Sequence, residues 1–155
     1  MQALLTVMVT WLSINFGLPA IDEHPQVRFA SATGMADVRQ SRLASIRPDS
    51  AAHQVGGPAE VAFGHDVHAI YDDQSRTIYL PEGWTGETPA EVSVLVHELV
   101  HHMQNVAGVK YDCAEAREKP AYQAQARWLE LFGQNLADEF EIDAMTILVR
   151  TNCMH

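Results

Sequence analysis

The stretch Thr88-Pro-Ala-Glu91-Val92-Ser-Val-Leu-Val-His97-Glu98-Leu-Val-His101-His102-Met-Gln104 decides how the chain is read. It opens as a helix start. The Thr88 hydroxyl can accept from the third backbone N–H, Glu91 can reach back to the cap, and Pro89 suits the first helical position, where an N–H has no partner to lose. At about 100° per residue, Val92, Leu95, Val96, Leu99, Val100 and Met103 fall within an arc of roughly 140°. His97, His101 and Gln104 lie on the opposite side, with Glu98 at its flank. A histidine placed by core packing belongs inside the apolar arc, so the pattern predicts that packing against the core did not place these two.

Two imidazoles one helical turn apart can aim a ring nitrogen each at one ion, and zinc accepts nitrogen at about 2.0–2.1 Å in tetrahedral geometry. Glu98 is offset enough to miss such an ion and meet the water beside it, and His102 points away from both ligands. A solvated polar face is the bland alternative. Two histidines leave the ion one protein ligand short, and the next segment, Asp112 to Gly133, reads as a helix with Gly133 at its C-terminal cap. Glu118 heads a stripe there with Ala121, Tyr122, Gln125, Leu129 and Phe132, which aims a carboxylate along a buried face. An unpaired buried carboxylate is costly, and a metal is a natural partner, so Glu118 is the candidate third ligand and Glu115, one turn earlier, the alternative. The competing reading is a salt bridge to Arg117, Lys119 or Arg127. Pro120 would interrupt the helix ladder, which leaves two starts open, near Asp112 or near Glu118.

The rest of the chain bounds the classes. At 155 residues, 47% hydrophobic and 19% charged, it reads as a single domain over 1–155 with material for a real core. A net charge of −10 argues against a nucleic-acid partner, because a phosphate backbone is bound through cations. The apolar N-terminus could be taken for a secretory signal, but the first basic residue is Arg28, Thr6, Thr10, Ser13 and Asn15 interrupt it, and Gly17 with Pro19 stops a helix. We expect an amphipathic first helix and no membrane span, which needs roughly 20 apolar residues. Pro25 to Ala30 alternates as a short strand, Ser31 to Ala44 reads as a helix, and 47–60 is a turn-rich loop. Val67 to Tyr71 and Thr77 to Leu80 flank Asp72 to Arg76 as a hairpin with a five-residue loop. His65 and His68, three apart before a strand, read as exposed side chains and not as a second metal pair.

His97-Glu98-Leu99-Val100-His101, followed by a helix with Glu118-Lys-Pro120-Ala121-Tyr122-Gln-Ala-Gln125, resembles the gluzincin class of zinc metallopeptidases. In that class a glutamate on the helix after the motif completes the site. The whole chain, including Ile78-Tyr-Leu-Pro-Glu-Gly-Trp84 and Leu148-Val-Arg-Thr-Asn-Cys153-Met, looks similar to a small bacterial family with this minimal core. Many relatives carry a glutamate directly before the Ala-Tyr pair; Pro120 stands there in this chain, and Glu118 is the carboxylate that remains. The resemblance implies an α+β, zincin-like domain, with a short sheet or hairpin packed on the active-site helix. It also implies an edge strand beside that helix, expected at Thr77 to Leu80, that holds a peptide or protein substrate by β-augmentation.

Zinc held by two histidines and one glutamate keeps a fourth position for water, lowers that water's pKa toward about 7 and polarises the scissile carbonyl. Glu98 is then the general base that passes its proton to the leaving amine. Tyr122, near Glu118 on one helix face, is the first candidate for stabilising the oxyanion, with Tyr79, Tyr111 and His102 as alternatives. Each tyrosine also reads as a core or rim aromatic. Three functions follow: a zinc peptidase, a zinc-binding scaffold or interaction domain with little turnover, and a metal-free helical protein. The only cysteines, Cys113 and Cys153, form no Cys-x-x-Cys pair. A bond between them would pin the last helix beside the Glu118 helix and, closing about 41 residues, stabilise by about 4 kcal/mol in the chain-entropy model. The N-terminus leaves the compartment open, and a periplasmic or secreted location goes with the bridged form.

Overall fold

The computed structural model describes residues 1–46 and 69–153, which form six helices and a three-stranded sheet, an α+β arrangement as expected. The strands are β1 (Gln26–Ala30), β2 (Ile70–Asp72) and β3 (Thr77–Pro81), in the order β1-β3-β2. β2 runs antiparallel to β3, and β1 runs parallel to it with Gln26 opposite Thr77 and Ala30 opposite Pro81. Thr77 to Leu80 is therefore the central strand, which corrects the expectation that it forms the edge. A parallel partner needs a crossover and cannot be seen in adjacent sequence; the chain that returns from β1 begins with helix α2 (Ala32–Ile46). The strand left at the edge beside the motif helix is β2.

The hairpin loop is one residue shorter than expected, 73–76. The Asp72 carboxylate accepts from the backbone N–H groups of Gln74 (3.2 Å) and Ser75 (3.3 Å), and Arg76 takes a left-handed φ of 52°. Val67, His65, His68 and the turn-rich stretch 47–60 lie outside the described residues.

Helix α1 (Gln2–Phe16) is amphipathic in the expected sense: Leu5, Met8, Val9 and Leu12 are buried at helical spacing while Val7 and Ile14 are exposed. It ends at Gly17, whose left-handed φ of 62° the missing Cβ permits. No helix among the described residues is long and apolar enough to cross a membrane.

Helix α3 (Pro89–Val106) runs through the centre of the molecule. Its capping box is formed as read: Glu91 N–H donates to Thr88 Oγ1 (3.1 Å), and Thr88 N–H donates to Glu91 Oε2 (3.3 Å). Its apolar arc shares one core cluster with α1 and with Tyr71, Ile78 and Leu80 of the sheet. Leu95, Leu99 and Met103 are fully buried, each a contribution on the order of 2 kcal/mol. The opposite face is buried as well, because every residue from Val92 to Gln104 is covered. That corrects the inference that burial did not place His97 and His101: helix α4 (Ala114–Glu130) packs over them, and its Ala121 and Ala124 join the same core cluster.

Of the two open starts for α4, the structure takes the earlier, with Cys113 as the cap in place of Asp112; Cys113 Sγ accepts from Ala116 N–H at 3.3 Å. Pro120 stays inside the helix. It brings no N–H to the ladder, and beside the gap the Gln104 side-chain amide donates to the Arg117 carbonyl (3.1 Å). Ala121, Tyr122, Gln125 and Leu129 are buried as the stripe predicted, whereas Phe132 lies beyond the helix end and is exposed. Gly133, with φ 73°, closes the turn after the helix and does not cap it directly. Helices α5 (Leu136–Phe140) and α6 (Ala144–Thr151) follow. Leu136, Phe140, Ile142 and Ile147 pack with Tyr122 and Leu129 in a second, smaller apolar cluster. Cys113 and Cys153 are bonded, with Cα atoms 5.8 Å apart, so α6 is fastened to the N-terminal end of α4.

Candidate metal centre

His97 and His101 stand one turn apart on α3, and Glu118 comes from the second turn of α4, the helix that covers them. Glu118 Oε2 lies 3.1 Å from His97 Nε2 and 3.3 Å from His101 Nε2, and one ligand atom from each of the three residues lies within 4.8 Å of the others. A zinc tetrahedron with bonds of about 2.0–2.1 Å has edges of roughly 3.3–3.4 Å. The two nitrogen–oxygen edges measured here are close to that size. Glu115, the alternative carboxylate, is exposed in the first turn of α4 and stands outside the group.

The other ring nitrogens explain why both Nε2 atoms face inward. His97 Nδ1 lies 3.0 Å from Gln125 Oε1, and the Gln125 amide nitrogen donates to Ser93 Oγ (3.3 Å), which fixes the oxygen toward the histidine. His101 Nδ1 lies 3.1 Å from Gln104 Oε1, and the Gln104 amide nitrogen is spent on the Arg117 carbonyl. Arg117 Nε approaches both His101 Nδ1 (3.2 Å) and Gln104 Oε1 (3.3 Å). Nδ1 cannot donate to the glutamine and accept from the arginine at once. Either Nδ1 accepts from Arg117 and Nε2–H donates to Glu118, or Gln104 Oε1 accepts from both Nδ1–H and Arg117 Nε–H; the second form is the one that leaves Nε2 able to bind an ion. In that form each histidine has its Nδ1–H held by a glutamine and its Nε2 turned to Glu118, the arrangement that outer hydrogen bonds give to metal-ligating imidazoles.

The electrostatics agree. Burial pushes the Glu118 carboxyl up, but hydrogen bonds and charge from His101 and His97 outweigh it and hold the group well below the usual carboxylate range. Burial pushes His97 down, yet Glu118 and Glu98 reverse that and raise it. A cation held by the two Nε2 atoms and the carboxylate would balance the charge of the largely buried Glu118. The donor set, two imidazoles and one carboxylate, fits zinc.

Glu98 is also buried and is fixed from the sheet: the backbone N–H of Tyr71 on β2 donates to Glu98 Oε2 at 2.8 Å. It makes no other hydrogen bond among the described residues. His102 is not part of the group, as expected. Its Nε2 reaches the Glu23 carbonyl (2.8 Å) and its Nδ1 the Tyr71 hydroxyl (3.1 Å), to which Asn105 also donates (2.9 Å). Burial pushes the His102 imidazolium down, which suits a neutral ring in a structural chain of hydrogen bonds.

Of the candidate tyrosines, Tyr122 stands at the centre, 8% exposed, its ring edge-on to His97 with centroids 4.8 Å apart. Tyr79 alternates with buried Ile78 and Leu80 and so faces away from α3. Tyr111 lies partly buried before α4, near Gln104 and Arg117 and not at the ligands. The sequence pattern alone did not show that Gln104 and Gln125 orient the histidines, that Arg117 pairs with Asp73, or that Arg150 reaches Tyr122. Arg117 is held in a two-pronged ion pair with Asp73 of the hairpin loop (Nη1 to Oδ2, 2.9 Å), which ties α4 to the sheet. The one available signal was the position of Gln104 and Gln125 on the histidine and Glu118 faces.

Fold and site together describe a small α+β domain with a two-histidine, one-carboxylate candidate metal centre. The chain belongs to the DUF6647 family, a domain of unknown function, which matches residues 1–155. No curated protein and no solved structure matches it.

Proposed function

We propose that the protein is a zinc-dependent peptide hydrolase of the gluzincin type, with His97, His101 and Glu118 as the residues that hold zinc. The observation that carries this reading is the convergence of two glutamine-oriented Nε2 atoms on one carboxylate at tetrahedral spacing, with a buried glutamate on the next residue of the same helix. Zinc, when bound, supplies a Lewis acid that acidifies water toward neutral pH and polarises a carbonyl. Glu98 takes the proton of the attacking water and returns it to the leaving amine. Its Oε2 is anchored by Tyr71 N–H, so the carboxylate has one fixed rotamer and its other oxygen for the proton. Tyr122 donates a hydrogen bond from its phenol O–H to the carbonyl oxygen as negative charge develops there. Burial first, and the charges of Glu118 and Glu98, raise the Tyr122 pKa against the opposing Arg150, which keeps the phenol protonated.

An extended peptide is held along β2, the outer strand of the described sheet beside Glu98, by strand addition that leaves the Tyr71 N–H on Glu98. The Cys113–Cys153 bond suits an oxidising compartment, and a periplasmic or extracellular site of action accompanies the proposal. A second reading has one specific observation in its favour: the Tyr71–Glu98 bond gives Glu98 a structural use in a zinc-binding scaffold without turnover. Glu98→Gln separates the two. A hydrolase variant keeps zinc and fold and loses peptide hydrolysis by several orders of magnitude, measured on a broad peptide library. Wild type that loads zinc and cleaves nothing supports the scaffold, and equal rates for both proteins identify a contaminating protease.

A further inference from the structure

We propose that Arg150, on the C-terminal helix, is a positioning residue of the hydrolytic site, holding the Tyr122 hydroxyl so that its proton faces the developing oxyanion. This rests on the hydrolase reading given above. Arg150 Nη1 donates to Tyr122 Oη at 2.9 Å, across 28 residues of sequence. Tyr122 makes no other hydrogen bond among the described residues, so the phenol oxygen accepts while its own proton is unspent. A buried tyrosine whose hydroxyl donates to no described residue, with its ring edge-on to His97, has a proton to offer to a ligand bound at the group. A cationic donor on the phenol oxygen also draws electron density from it and makes the O–H a stronger donor.

The fold fixes Arg150 from both sides. Upstream, Asp143 caps α6 by accepting from Thr146 N–H (2.7 Å), and Ile147 packs into the apolar cluster that contains Tyr122 itself. Downstream, Thr151 is buried, and Cys153 is bonded to Cys113 at the N-cap of α4, the helix that carries both Glu118 and Tyr122. The short helix and its disulfide therefore bring a guanidinium to the Tyr122 hydroxyl, and α6 becomes part of the site.

Steady-state peptide hydrolysis by the zinc-loaded full chain tests the pairing. Tyr122→Phe should lower kcat by about 100-fold, the effect of losing one oxyanion donor, with KM and zinc content unchanged. Arg150→Ala should lower kcat in the same way, Arg150→Lys should recover part of the loss, and Arg150→Ala in the Tyr122→Phe background should add nothing. Full additivity in the double variant, unchanged kcat in Arg150→Ala, or loss of zinc from Arg150→Lys overturns the proposal. A peptide phosphonate, which offers an anionic oxygen to the same donor, separates this idea from the hydrolase reading. Without any turnover by wild type that reading fails. Weaker phosphonate binding by Tyr122→Phe and Arg150→Ala, reduced by a common factor, would still support the pairing, and equal binding by all three proteins overturns it.

Discussion

Replacing Gln125 with leucine isolates the part of the site that orients a ligand without touching the metal. The side chain volume and the helix preference stay close to those of glutamine. What is lost is the Oε1 acceptor 3.0 Å from His97 Nδ1 and the donor to Ser93 Oγ. Ser93 Oγ keeps its bond to the Ala90 carbonyl (2.7 Å), so the larger loss falls on the histidine. His97 is buried, and a buried N–H without an acceptor costs about 1–3 kcal/mol. At about 1.4 kcal/mol per tenfold, zinc affinity should fall by roughly 5- to 150-fold, which brackets the 10- to 100-fold typical of such outer partners. Competition for zinc against a chromophoric chelator reads this directly. Gln125→Glu, which keeps an acceptor in place, should bind at least as tightly as wild type. Equal affinity in wild type and Gln125→Leu, in a protein whose zinc is lost in Glu118→Ala, would refute the tautomer argument.

Elemental analysis of gently purified protein should find about one zinc per chain, and the double variant His97→Ala/His101→Ala should retain none. Glu118→Ala should weaken binding while Glu115→Ala leaves it unchanged; the reverse order would move the third ligand to Glu115. In metal-free protein the His97–Glu118 pair sets a pH window. The raised His97 pKa contributes stability that is full below the ordinary histidine value of 6.5 and is lost as pH rises through the folded value. The depressed Glu118 pKa contributes stability present above 4.5 and lost as pH falls through the folded value. Thermal melts of the metal-free wild type should therefore lose stability at both ends relative to Glu118→Gln, and parallel curves for the two would count against the pair.

What the sequence made legible was local. The Thr88 and Glu91 box, the arc of α3 and the four-residue spacing of His97 and His101 are fixed within one helix, and all three appear as read. Glu118 could be found because its own stripe points one way. The opposite face of α3 was misread because a polar face looks the same whether water or a second polar helix covers it; Gln125 of α4 supplies the cover, and no pattern within α3 announces it. The edge strand was misassigned for a related reason: the partner that turns β3 into a central strand lies some fifty residues upstream and pairs in parallel. Pro120 argued for a later helix start, but the packing of Ala121 and Ala124 and the cap at Cys113 carry the helix through it. Arg150 has no local signature of its own; the cysteine pairing and the resemblance over Leu148 to Met154 pointed to that end of the chain without marking the arginine.

The three residues of the candidate metal centre come from adjacent helices, and His97 and Glu118 are 21 residues apart. Closing so short a loop is entropically cheap, so an extended chain can also gather two histidines and a carboxylate around an ion. Free-energy linkage then works at a discount: a ligand that also binds the unfolded state shifts the melting equilibrium by less than its affinity for the native state implies. The same closeness favours early assembly, since local contacts form before the sheet, whose central strand must pair with a segment some fifty residues upstream. On the proposed reading, metal acquisition by this chain during synthesis would need only α3 and α4 to have emerged, well before Cys153 can reach Cys113.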